Sequence, residues 1–272
     1  MAHDLLKGKR GIISGALDSR SIAWKVAEKA YAEGARFVLT NAPVAMRLGE
    51  IKNLAEATKS EIIPADATSI EDLTTLFSRA VEILGGKIDF LLHSIGMSPN
   101  IRKNIPYTEL NYEFYNKTLD VSAISLHKML SVAKKLDAMN EWGSVVTLTY
   151  IAASRTYPFY NDMADAKAML ESIVRSFGYH YGRLKKVRIN AVSQSPTKTT
   201  AGTGIKGFED FYNYAEMASP LGNASAEACA DFCVLLFSDF TRMVTMQTLY
   251  HDGGYSSTGI SSEAMEKLGF KF

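Results

Sequence analysis

A phenol and an amine seven residues apart, Tyr160 and Lys167, are the pair in this sequence best placed to do chemistry. Pro158 lies just before the tyrosine and a long apolar-periodic run follows it, which puts Tyr160 at a helix entrance. Seven residues make two helical turns, so both side chains can face the same way. An ammonium beside a phenol favours the phenolate and lowers its pKa, giving a usable acid. A lysine can also hold ribose hydroxyls. By spacing alone, a core tyrosine and a surface lysine fit equally well. A second phenol, Tyr150, stands ten residues before the first.

Other candidates sit where strand-like runs end. Ser14-Gly15-Ala16-Leu17-Asp18-Ser19-Arg20-Ser21 follows the first run. In a doubly wound fold this turn meets dinucleotides. Gly15 permits a tight turn, and a helix starting near Ser21 offers free N–H groups to a pyrophosphate. It is not a full G-x-G-x-x-G, and an ordinary strand-helix turn reads the same way. After the second run, Thr40-Asn41-Ala42-Pro43 carries neither the acid nor the base that would select NADH or NADPH, and Arg47 is a few residues on. Asp66, after the third run, could accept from an adenine amino group or cap the next helix. His93-Ser94-Ile95-Gly96 ends the fourth run. Gly96 would let the chain pass close to a flat ring, and His93 reads as a satisfied core histidine. Cys229 and Cys233, at i,i+4, read as small buried hydrophobes rather than metal ligands, and no metal site is expected.

The elements that must position these groups alternate. Strands are expected at 11–14, 35–40, 61–64, 88–93, 144–149, 187–192 and 247–250. Helices are expected at 21–31, 69–84 (opened by a Ser69-Ile70-Glu71-Asp72 capping box), 117–139, 161–179 and 226–237. Several strands are apolar throughout, as strands covered on both faces are. The expectation is an α/β, Rossmann-like doubly wound fold. Seven parallel strands are flanked by helices on both faces, in a single domain over 1–272. One long irregular stretch, about 194–223 after strand six, has the size of a functional lid. The balance of 30 Lys+Arg against 29 Asp+Glu leaves +1, which argues against a bulk-charge nucleic-acid binder. The polar N-terminus and the lack of an 18-residue apolar run predict a cytoplasmic protein with no signal peptide and no membrane span.

Taken in order, these motifs resemble one family. Gly15 with Ser21-Ile22-Ala23, Asp66, His93-Ser94-Ile95-Gly96, Thr149-Tyr150, Tyr160-Asn161 with Lys167, Val187-Arg188-Ile189-Asn190, Pro196 with Thr199, and His251-Asp252-Gly253-Gly254 follow the bacterial enoyl-[acyl-carrier-protein] reductases. These are a divergent branch of the short-chain dehydrogenases/reductases. Ordinary members use Tyr-x3-Lys, whereas here the position four before Lys167 is Met163 and the pattern is Tyr-x6-Lys. The resemblance implies hydride transfer from NADH, with NADPH still open, to Cβ of a trans-2-enoyl thioester carried by acyl carrier protein. It implies that Tyr160 binds the thioester oxygen, that Lys167 holds the nicotinamide ribose, and that Tyr150 lines the acyl pocket and assists. It assigns Gly15, Ser21, Ile22, Ala42, Asp66, Ala67, Ser94, Ile95 and Gly96 to the cofactor. Pro196, Thr197, Thr199, Thr200 and Ala201 would cover its nicotinamide side, and Ser98 would contact substrate through its backbone. A homotetramer is implied as well.

Departures from the family pattern fall near the lid. Gln194-Ser195 stands where Ala-Gly is common, Thr197 replaces an aliphatic residue, and Ala42 replaces a polar one. The lid's Phe208, Phe211, Tyr212 and Met217 with Gly202, Gly204 and Gly207 suit a closing flap, or a helix packed permanently on the body. Lys198, Lys206, Arg102 and Lys103 flank the expected mouth, where some would steer an acidic carrier protein. Charge reversal at Arg102 and Lys206 that left KM for carrier-bound substrate unchanged would dispose of that steering. Two other functions compete: a carbonyl or 3-oxoacyl thioester reductase, against which Met163 argues, and a non-catalytic dinucleotide sensor, which has no need of Tyr160 and Lys167 together.

Overall fold

Seven strands pair side by side, all parallel, in the order β3-β2-β1-β4-β5-β6-β7. They are β1 (Arg10–Ser14), β2 (Arg36–Thr40), β3 (Glu61–Ile62), β4 (Ile88–His93), β5 (Met139–Thr149), β6 (Arg188–Gln194) and β7 (Thr248–His251). The computed structural model describes residues 3–48, 50–205 and 207–270.

Neighbouring residues of each central strand go to opposite faces, because strand side chains alternate. Ile12, Leu91 and Val145 enter one core, with Leu76 and Phe77 of α3 (Ile70–Leu84), Leu126 of α6 (Ser125–Lys135) and Leu170 of α7 (Asp162–Lys185). Ile13, Leu92 and Val146 enter the other, with Val26 of α1 (Ile22–Ala32), Leu54 of α2 (Ile51–Thr58) and Phe237 of α10 (Ala226–Phe237). Continuous apolar runs are what a sheet covered twice requires. Cys229 and Cys233 are both buried in the second core. Among the described residues no His/Cys/Asp/Glu group could hold a metal ion, and no helix is long and apolar enough to cross a membrane.

Several expected boundaries move. The helix expected over 117–139 is α5 (Tyr112–Leu119), a π-helical turn at Asp120–Ile124, and α6, which stops at Lys135. Asp137 takes φ +49° and Met139 already pairs with Ile88, so β5 begins five residues before its expected start. Helix α7 runs six residues past 179, until Lys186 adopts φ +56°. The segment read as irregular holds α8 (Thr200–Thr203) and α9 (Phe208–Ala218). Two short helices complete the chain, α4 (Pro99–Arg102) and α11 (Ser262–Lys267). The capping box at α3 forms in altered shape. Ser69 Oγ accepts the Asp72 N–H (3.1 Å), but the Asp72 carboxylate takes the N–H of Asp66 (2.8 Å).

Candidate active site

Strand order reverses direction between β1 and β4, and a crevice opens beyond the carboxyl ends of the strands, as the topology demands. It has a volume of about 890 Å³. One half is lined by Gly15, Ser21, Ile22, Ala42, Asp66, Ala67, Ser94, Ile95 and Gly96. Gly15 has φ +94°, and a Cβ there would stand 1.9 Å from the carbonyl oxygen of Ser94. Only glycine lets the first turn close against the end of β4. Helix α1 opens beside it without a side-chain cap, whereas Ser69 and Ser225 cap α3 and α10. The Ser21 hydroxyl instead donates to the Asp18 carbonyl (2.8 Å). The Trp24 and Lys25 N–H groups turn back on the Ser21 carbonyl (3.1 and 3.3 Å), which leaves those of Ile22 and Ala23 without a partner among the described residues, at a helix start that lines the crevice with Ser21 and Ile22. Asn41 is folded inward, with its amide on the Ala16 carbonyl (2.9 Å) and its oxygen on the Ala42 N–H (2.8 Å). Asp66 is exposed, and one of its oxygens accepts from the Thr68 N–H and hydroxyl (2.8 and 2.7 Å). It shapes the turn ahead of α3 and leaves the cap to Ser69.

Tyr160 and Lys167 line the same crevice, with Tyr150 and Met163. The entrance of α7 makes this possible. Asn161 adopts φ +50°, its side-chain oxygen accepts the Asp162 N–H (2.8 Å), and its amide reaches the Ile105 carbonyl (2.6 Å). A strained non-glycine residue of this kind persists only where its surroundings hold it. Lys167 is buried, and its amine donates to the Leu148 carbonyl (2.8 Å). Burial pushes its pKa down to about 8, against the opposing pull of Glu171 one turn on. The expected lowering of the phenol's pKa by Lys167 does not occur. Burial moves Tyr160 upward, because the phenolate would lose its solvation there. At neutral pH Tyr160 is thus an O–H donor. Tyr150 is buried too, its ring against Tyr160 (5.0 Å), Tyr157 (5.3 Å) and Phe211 (5.7 Å). Its hydroxyl has no hydrogen-bond partner among the described residues. A buried, unpaired hydroxyl costs about 1–3 kcal/mol, which a ligand oxygen would recover.

His93 is fully buried between Thr147 Oγ1 (2.9 Å) and Ser125 Oγ (2.8 Å), and burial lowers its pKa to about 3. It is a neutral core residue. The Ser98 hydroxyl donates to Asp162 (2.6 Å) and caps α4 at Ile101 (3.0 Å), which leaves its backbone for any contact with a ligand. Asp162 is a residue that reading along the chain missed. Fully buried, it also accepts from Asn100 and Thr118 (2.8 Å each) and ties α4 and α5 to the start of α7. In sequence it looks like any acid in a helix's first turn.

The other half of the crevice belongs to the segment after β6. Pro196, Thr197, Thr199, Thr200, Ile205, Phe208 and Phe211 line it. The side chain of Ala201, the side chain of Arg47 and all of Lys206 lie outside the described residues. Thr200 hydrogen-bonds the Asp18 carboxylate across the crevice, a second contact with no local signal. Helix α9 buries Phe208, Ala215 and Ala218, and the Ser261 hydroxyl before α11 holds the Met217 carbonyl (2.9 Å). Of the cations expected at the mouth, Lys198 pairs with Glu209 (2.7 Å), Lys103 lies over the Phe114 ring (4.6 Å), and Arg102 lines the crevice itself.

Comparison with known proteins agrees with this geometry. The family model described as "Enoyl-(Acyl carrier protein) reductase" matches residues 15–256. The chain is 34% identical over 261 residues to enoyl-[acyl-carrier-protein] reductase [NADH] 2 of Rhizobium meliloti (strain 1021), covering 95% of each protein. It is 35% identical to the FabI enoyl reductase [NADH] of Rickettsia bellii, covering 95% of this chain and 98% of that one. Among solved structures, the FabI-NADH complex from Alistipes finegoldii superposes with a TM-score of 0.96 at 62% identity, over 97% of this chain and 93% of that one. The Aquifex aeolicus enoyl reductase (NADH) gives 0.87 at 32%, over 94% and 99%. With a family match that starts at Gly15 and ends beyond the glycine pair after β7, this chain belongs to the enoyl-(acyl carrier protein) reductases.

Proposed function

We propose that the protein reduces the carbon–carbon double bond of trans-2-enoyl thioesters on acyl carrier protein, using NADH, in the elongation cycle of fatty-acid synthesis. The observation that carries this reading is the placement of the phenol. Met163 occupies the position four before Lys167 and is buried, while Tyr160 and Tyr150 face the crevice from the loop ahead of α7. A carbonyl reductase must protonate the oxygen on the carbon that receives hydride. An enoyl reductase must meet charge on an oxygen two carbons further away.

The chain's own features fit the cofactor. The uncapped start of α1 suits a pyrophosphate. The open face at Gly96, where a Cβ would stand 3.9 Å from the Lys167 amine, suits a flat ring beside that amine. At the end of β2 the described lining side chains, Asn41, Ala42, Val44 and Ala45, include no cation, which suits a 2′-hydroxyl rather than a phosphate. The cofactor, when bound, supplies the hydride for Cβ. As the electron pair moves to the thioester oxygen, Tyr160, protonated because it is buried, donates a hydrogen bond to that oxygen, and the enolate so held takes a proton from water at Cα to give the saturated thioester. The unspent hydroxyl of Tyr150 is a second donor from the acyl side. Lys167, held by Leu148, binds the ribose. The Ser94-Ile95-Gly96 backbone and residues 196–201 enclose the cofactor, Ala67 and Asp66 its adenine end, and the Ser98 backbone meets substrate.

We read 1–272 as one reductase domain with its lid at about 194–223, working in the cytoplasm as a homotetramer. The test is loss of reduced-nicotinamide absorbance with crotonyl and longer enoyl thioesters, run with each cofactor, against a 3-oxoacyl thioester. Turnover of the enoyl substrates with NADH is expected. Preferential turnover of the 3-oxoacyl thioester, or cofactor binding without turnover, overturns the proposal in favour of the carbonyl reductase or the sensor.

A further inference from the structure

The lid leaves the sheet at Gln194 and returns at Ala224, just before α10, and its two roots meet over one buried amide. Gln194 Nε2 donates to the Ala224 carbonyl (3.1 Å) and to Thr197 Oγ1 (3.2 Å), one contact at each root. Since a carbonyl only accepts, the amide nitrogen must face Ala224, and the amide oxygen must face His251 Nδ1 (2.7 Å). That nitrogen of His251 therefore carries the hydrogen. The imidazole is itself fixed by lying nearly parallel to the Phe232 ring (5.2 Å, 14°). Beside it, the Ser195 hydroxyl accepts the Ala224 N–H (2.7 Å). Both hydrogens and the oxygen of the Gln194 amide are used, and the side chain is buried.

We infer that Gln194 is a positioning residue: with Ser195 it ties the two roots of the lid together and so sets where Ile205, Phe208 and Phe211 stand over the crevice, and through them the preference for long acyl chains. The inference rests on the proposed enoyl-thioester reading. Its effect should grow with chain length, because Ile205, Phe208 and Phe211 line the crevice and a longer acyl chain has more apolar surface to set against them.

The test compares Gln194→Met, which keeps the shape and loses the bonds, with wild type. We expect the ratio of kcat/KM for dodecenoyl over crotonyl thioester to fall at least about fivefold, the worth of roughly one buried methylene or more. Amide exchange in the lid, read on the ligand-free protein, should quicken while exchange in the β1–β6 core stays unchanged. Ser195→Ala should move both readouts the same way and carries the test if Gln194→Met does not fold. An unchanged chain-length ratio with unchanged lid exchange overturns the inference. If wild type reduced no enoyl thioester, the functional reading would fail on its own, and lid exchange would still judge Gln194.

Discussion

The two walls of the crevice are held in different ways. The wall formed by the strand ends is backbone. Gly15 is pressed against the Ser94 carbonyl with no room for a methyl group, and Lys167 is tied to the Leu148 carbonyl at the end of β5. The other wall, the segment after β6 that we propose as a lid, relies mostly on side chains, with Gln194 and Ser195 at its roots, Thr200 on Asp18 and the Ser261 hydroxyl on α9, beside a backbone bond from the Leu221 N–H to the Gly253 carbonyl (3.0 Å). Sheet pairing is cooperative and continuous, so groups mounted on it keep their mutual geometry. A segment held by a few side-chain bonds can change without disturbing the sheet. The groups proposed to do chemistry stand on or beside the first wall. The groups proposed to choose among substrates stand on the second.

That contrast can be broken by mutation. Lys167→Ala should do the most damage, lowering kcat/KM by roughly a thousandfold and weakening NADH binding, as steady-state assays and fluorescence titration would show. Tyr160→Phe should lower kcat by about 10²–10³, the usual worth of one donor to a developing oxyanion, with little change in KM. Wild-type kcat in Tyr160→Phe would hand the role to Tyr150. On the lid, Phe211→Ala should raise KM for a long-chain enoyl thioester about tenfold and leave kcat for crotonyl thioester nearly unchanged, since one aromatic contact of about 1.5–3 kcal/mol is lost. A kcat loss there as large as that of Tyr160→Phe would erase the division between the walls. Smallest is the pH effect. The Lys167 ammonium forms only below its depressed pKa of about 8, so kcat/KM should decline as pH rises through that value. A profile flat to pH 9.5 would show that the charge on Lys167 is not needed.

Some of this was legible along the chain. The strands announced themselves as apolar runs, and the Ser69 cap and the helix at 226–237 stand where expected, because each depends on residues within one or two turns of each other. Tyr160 and Lys167 do share the crevice, but not through helical periodicity: Tyr160 lies outside α7, and the turn at Asn161, held by Asp162 and Ile105, aims it there. Where expectation failed, the cause was local geometry with a distant partner. The π-helical turn at Asp120–Ile124 and the early start of β5 depend on what α6 and β4 pack against. Helix α9 was hidden among glycines and is held by residues on both sides of it in the fold.

The sequence alone determined the doubly wound sheet and the crevice at its carboxyl edge, since periodicity and short-range spacing specify both; it named the phenol and the amine, and the turn at Asn161, tied to Ile105, brought them together. Tertiary structure alone decided that Tyr160 is a protonated donor, that the Ser98 hydroxyl is spent on Asp162, that the Tyr150 hydroxyl has no partner among the described residues, and that Gln194 joins the two ends of the segment between β6 and α10. Each of these depends on burial, or on a partner dozens of residues away, and neither solvation nor a long-range hydrogen bond is written in any short stretch of chain.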